Sequence, residues 1–103
     1  MKVPTTADGW LTVEAPIVKL CPFRSEEDTG TVRVKVPLRG FTPELYSLRA
    51  YFDSFETTEI SHEDLTQEVC DTLTNQLGGA VVTTFWTTAG MTVECRVISS
   101  QPL

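Results

Sequence analysis

From Trp10 the chain alternates: Leu11, Val13 and Ala15 fall on one side, Thr12 and Glu14 on the other, until Pro16 interrupts. A period of two predicts a strand over 10–20. The next ten residues, CPFRSEEDTG, have no apolar period and carry Pro, Ser, Asp and Gly, so an exposed loop is expected. Alternation resumes from Thr31 to Pro37, with Val32, Val34 and Val36 opposed to Thr31, Arg33 and Lys35. The two strands should pair as a hairpin around the loop. The period then changes. Thr42-Pro43-Glu44 is a helix-start signal, with Thr42 as N-cap and Pro43 at the first position. Leu45, Leu48, Phe52 and Phe55 follow at helical spacing. Ser61 and Asp64 resemble a capping box for a second helix, whose Leu65, Val69, Leu73 and Leu77 recur every four residues until Gly78-Gly79. Ala80 to Trp86 is β-branched and aromatic. A Thr-Thr-Ala-Gly turn follows, and then Met91, Val93, Cys95 and Val97 share one face of a last strand.

The order is ββααββ, an α+β fold in which two hairpins form a four-stranded antiparallel sheet and two helices cover one face. So small a sheet leaves two bare edges, and joining them across subunits into a closed barrel is one remedy.

Length adds that residues 1–103 should form a single domain, with room for one modest core and no separate cofactor domain. No apolar run approaches a membrane span and MKVPTTADGW has no signal-peptide core, so an unprocessed cytoplasmic chain is expected. Three cysteines without a CxxC pair argue against a disulfide framework and a zinc ribbon. A net charge of −6 counts against nucleic acid, yet six of the eight basic residues lie between positions 19 and 49. Solvated charge on strand faces is the plainer reading of that cluster.

Cys21 lies where a strand meets a polar loop, just before Pro22. A free cysteine is commonly a small buried hydrophobe, but a loop position also suits a nucleophile. Cys70 and Cys95 fall beside apolar stripes and read as structural. Asp28 shares the loop with Cys21, either as a turn former or as an acid returning to the thiol. His62, the sole histidine, excludes a three-His zinc site. With Glu63 it either complements the helix dipole or faces a pocket, as proton donor and carboxylate anchor.

Leu20-Cys21-Pro22 with Asp28, then Glu44 through Phe52 running into Ser54-Phe55, then His62-Glu63-Asp64 together resemble the QueF family. These are nitrile reductases of 7-cyano-7-deazaguanine, and the likeness is greatest to their short QueF-like relatives. The matched order spans roughly positions 18 to 77, and the ββααββ layout agrees with that family's tunnelling fold. The resemblance implies that Cys21 attacks the nitrile carbon to give a thioimide and that Asp28 handles the nitrile nitrogen's proton. It further implies that His62 assists, and that Glu63, with Ser47 and His62, holds the substrate.

The departures point to one branch. Reductases carry lysines at the positions of Tyr46 and Arg49, within their cofactor motif, and often an aromatic at that of Ser61. QueF-like relatives lacking that motif resemble archaeosine synthases. The implied reaction adds ammonia to 7-cyano-7-deazaguanine already in tRNA, giving a formamidine without redox cofactor or metal. The implied assembly is a homo-oligomer with sites between subunits. An NADPH-dependent reductase of the free base and a non-catalytic purine- or pterin-binding module are the alternatives.

Overall fold

The computed structural model describes residues 1–99. Strands β1 (Lys2–Leu20), β2 (Glu27–Pro43), β3 (Val81–Thr88) and β4 (Met91–Ile98) form one sheet in the order β1-β2-β3-β4, every pair antiparallel. Helices α1 (Leu45–Asp53) and α2 (His62–Leu77) separate the hairpins. The expected α+β order ββααββ is the observed one. Among the described residues, no helix is long and apolar enough to cross a membrane.

The alternating residues of β2 build the core. Val32, Val34 and Val36 are wholly buried. Across the ladders Val34 faces Val13 on one side and Val82 on the other. Over this face lie Leu65, Val69 and Leu73 of α2, also wholly buried. At about 1.5–3 kcal/mol for each aliphatic side chain removed from water, this layer is the main stabilising element. Helix α2 spans β2, β3 and β4, while α1 leans on β1. Both outer strands, β1 and β4, are sheet edges.

Four boundaries differ from the sequence expectation. Strand β1 starts at Lys2, because pairing with β2 continues through a register shift between Pro4 and Asp8 where both faces are largely exposed. Exposed pairing leaves no apolar alternation to read. For the same reason β2 begins at Glu27, so Asp28 sits on a strand opposite Lys19 and not in the loop. Pro43 closes β2, and the N-cap of α1 is Glu44, whose carboxylate accepts from the Tyr46 and Ser47 amides at 2.8 and 3.2 Å. Coming later than expected, this start turns Leu45 outward at 56% exposure, leaving Leu48, Phe52 and Phe55 in the core. The last hairpin turns on Ala89-Gly90 alone, both with positive φ (52° and 75°), as a two-residue turn matched to strand twist requires. Thr87 and Thr88 are therefore strand residues.

Helix α2 follows its pattern closely. The Ser61 hydroxyl accepts from the Asp64 amide at 3.1 Å, and Gly78 ends the helix at φ 87°. Ser61→Ala is expected to cost about 1 kcal/mol of unfolding free energy, measurable by urea titration. An unchanged midpoint would mean that the cap contributes nothing.

Candidate active site

The site forms where β1 hands the chain to β2. The Cys21 amide donates to the Glu26 carbonyl at 2.7 Å and the Ser25 amide to the Cys21 carbonyl at 2.9 Å, closing a short loop. Leu20 anchors the segment that precedes α2. Its amide donates to the Thr58 carbonyl (3.0 Å) and its carbonyl accepts from the Ile60 amide (3.2 Å). This parallel bridge fixes the start of α2, and with it His62 and Glu63, beside Cys21. Residues far apart in sequence thereby line one open cavity of about 170 Å³, among them Cys21, Asp28, His62, Glu63, Lys19 and Thr88. A larger cavity of about 400 Å³ lies between α2 and β4, but it contains none of the candidate residues.

His62 is held on several sides. Its ring stacks on Trp86 at 4.6 Å and 9°, and Nε2 lies 2.9 Å from Thr88 Oγ1. Its Nδ1 is buried without a protein partner among the described residues. Burial, and then the Lys19 ammonium, hold the imidazole below the usual histidine range, against the opposing carboxylates of Asp28 and Glu63. The ring is therefore neutral near pH 7, with one nitrogen donating and the other accepting.

A directed relay of hydrogen bonds supports this arrangement. Thr66 Oγ1 donates to the His62 carbonyl at 2.7 Å and lies 2.7 Å from Thr84 Oγ1. One hydroxyl has one proton, so Thr84 must donate to Thr66. Thr84 in turn accepts from Trp86 Nε1 at 2.9 Å. The indole that stacks on the imidazole is thus tied to the backbone of the same histidine.

Asp28 Oδ2 accepts from Lys19 Nζ at 2.7 Å. Glu63 lines the cavity beside His62. Ser47 stands apart from these residues: its hydroxyl donates to Glu44 at 3.0 Å on α1, and it does not line the cavity. Cys21 is a free, half-buried thiol. Burial pushes the Cys70 and Cys95 thiols up, which disfavours their thiolates. Among the described residues, no group of His, Cys, Asp and Glu is arranged to hold a metal ion.

Lys19, Trp86 and Thr88 escape the sequence reading. Lys19 leaves one signal: it continues the inward phase of Leu11, Val13, Ala15 and Ile17, where a charge needs a reason. Trp86 reads as core, which it also is, and Thr88 falls in the expected turn.

No protein-family model matches the chain. It is 38% identical over 58 residues to an NADPH-dependent 7-cyano-7-deazaguanine reductase of a Nitratiruptor species, covering 56% of this chain and 44% of that protein. A reductase of the same description from Prochlorococcus marinus is 33% identical over 51 residues, 50% of this chain and 36% of that one. The match thus spans less than half the length of either relative. At the level of fold, the crystal structure of the archaeosine synthase QueF-Like in the apo form superposes with a TM-score of 0.88 at 20% identity, over 95% of this chain and all of that one. The chain shares the fold of that QueF-Like structure and, over about half its length, sequence similarity with the reductases. Its ββααββ sheet has the tunnelling-type fold of that structure, and sequence similarity to the reductases is distant.

Proposed function

We propose that the chain is an amidine-forming enzyme acting on 7-cyano-7-deazaguanine carried in tRNA, an archaeosine synthase with ammonia as co-substrate and no redox cofactor. The observation that carries this reading is the meeting of Cys21, Asp28, His62 and Glu63 around one cavity. In the proposed reaction Cys21 Sγ bonds to the nitrile carbon, the triple bond becomes a C=N, and the thiol's proton passes through Asp28 to the nitrogen. Ammonia then adds to the thioimide carbon and the C–S bond breaks. The sulfur leaves as thiolate and recovers a proton, so nitrile plus ammonia gives the formamidine with nothing oxidised or reduced. A thiolate suits both steps, as a strong nucleophile and a good leaving group. Neutral His62 assists at the cavity wall, and Glu63 accepts from the guanine-like N–H edge.

The surface of α1 favours this reading over a redox one. Tyr46 is 88% exposed, and Arg49 is already engaged by Asp53 at 3.1 Å and the Pro16 carbonyl at 3.4 Å. Two positions that are lysines in the resembling reductases thus offer no free ammonium for a phosphorylated nicotinamide. A 170 Å³ recess is also small for a ligand pocket, which usually encloses about 300 Å³ or more. With β1 and β4 both open, a second copy completing the sheet and the pocket accounts for the shortfall. Ser47 would then join the site only from another subunit.

The test is incubation with tRNA containing 7-cyano-7-deazaguanine and ammonium, without NADPH, followed by mass spectrometry of the nucleoside. Gain of one ammonia is the expected result. The curated relatives are reductases, so the second reading is reduction of the free base. No gain in tRNA, with NADPH-dependent conversion of the free nitrile to an amine, would replace the first reading by the second.

A further inference from the structure

Lys19 is the largest fully buried side chain in the described residues, and it alone among the buried residues carries a formal charge. An ammonium withdrawn from water is unfavourable unless it is paired, and even a paired one rarely outperforms apolar packing of the same volume. Packing alone therefore gives no reason for a lysine at a position that follows Ala15 and Ile17 on the inward phase of β1. What the lysine touches supplies one. Its Nζ donates to Asp28 Oδ2 at 2.7 Å and lies 5.0 Å from the centre of the Trp86 ring, the ring on which His62 stacks. Lys19 thus holds the acid directly and lies against the indole that carries the imidazole.

We propose that Lys19 is a positioning residue of this site, whose buried ammonium fixes the direction of Asp28 and sets the charge around His62. The inference rests on the amidine-forming reading for what is being positioned. With Oδ2 committed to Lys19, Oδ1 is left for the cavity, where a proton must travel from the thiol to the nitrile nitrogen. The titratable and charged groups around His62 are Lys19 on β1, Asp28 on β2, Glu63 on α2 and Cys95 on β4, with Cys21 across the cavity. Lys19 is the only cation among them. Without it two carboxylates act on the imidazole unopposed, and a protonated His62 would have no acceptor nitrogen left.

His62 is the only histidine of the chain, so its NMR titration is a direct reporter that needs no substrate. The experiment compares the full chain with Lys19→Met, Lys19→Gln and Lys19→Arg. Each is followed by the His62 titration, by binding of 7-cyano-7-deazaguanine, and by intact-mass detection of the thioimide. Lys19→Met should raise the His62 midpoint and slow adduct formation about 100-fold, the usual scale for a misplaced reacting group. Affinity for the base should stay near wild type, and Lys19→Arg should recover most of both losses. If Lys19→Met does not fold, Lys19→Gln carries the test, since its amide can still donate to Asp28 without a charge. A folded neutral variant with a wild-type His62 midpoint and wild-type adduct rate overturns the proposal. A wild type that forms no adduct with either the free base or tRNA carrying it sinks the proposed covalent chemistry alone. In that case an upward midpoint in Lys19→Met still upholds the electrostatic placement of Lys19, and an unmoved one overturns it.

Discussion

Cys21→Ala should abolish the thioimide and lower amidine formation by at least about 10⁴-fold, the scale on which removal of a covalent nucleophile acts. Stability should hardly change, within about 0.5 kcal/mol, because the sulfur is not part of the core cluster. The loop is held through the backbone of residue 21, whose amide and carbonyl bonds alanine retains. Neither remaining thiol can substitute. Cys70 is buried with its sulfur toward the Ala80 carbonyl at 3.7 Å, and Cys95 lies on β4. Burial disfavours the thiolate of both. Intact mass after incubation with the nitrile base, and nucleoside analysis of treated tRNA, measure the two losses. An alanine variant that still forms amidine would remove Cys21 from the reaction. Retained activity in Cys70→Ala and Cys95→Ala would exclude the other two cysteines as the nucleophile.

Residue 21 can be singled out in the sequence because three local patterns change there at once: a strand ends, polarity rises and a proline follows. The core is legible for a similar reason. Val32, Val34 and Val36, and Leu65, Val69, Leu73 and Leu77, repeat at the periods of a half-buried strand and helix, and each lies on the buried side. What the pattern does not carry is pairing without burial. The first third of β1 and both ends of β2 are held by ladder bonds whose side chains largely face water, so no alternation marks them. The sequence reading misplaces Asp28 for this reason.

Within the site, the family resemblance brings Cys21, Asp28, His62 and Glu63 together, and the fold gathers them around one cavity. The residues that hold them are a different matter. Lys19 pairs with Asp28 across a strand register, Trp86 reaches His62 from β3, and Thr88 meets His62 over 26 positions. Such contacts depend on registers and helix placement set by the whole core, and nothing local in the sequence encodes them. Ser47 shows the converse. It belongs to a matched motif, yet in this chain it serves the start of α1.

The support of the site is most vulnerable at Gly30, where alanine should cost about 3 kcal/mol and disturb His62 as well. Gly30 faces Trp86 across the β2–β3 ladder and Ile17 across β1–β2. A Cβ at this position would overlap the Phe85 carbonyl oxygen and lie within 2.5 Å of Trp86 Cε3. The carbonyl belongs to the sheet and cannot withdraw, so the indole must move. It is buried, and it is coupled through Thr84 and Thr66 to the His62 carbonyl while its face carries the imidazole. The expected results are a lower urea midpoint, a red-shifted emission from Trp86 and a changed His62 titration. Trp10, the other indole, is already half-exposed and should contribute a constant signal. A double-mutant cycle with Trp86→Leu then separates causes. If the glycine is required for indole clearance, the smaller side chain should recover part of the loss and the two changes will be non-additive. Simple additivity would place the cost in the β2 backbone and leave the seating of His62 independent of Gly30.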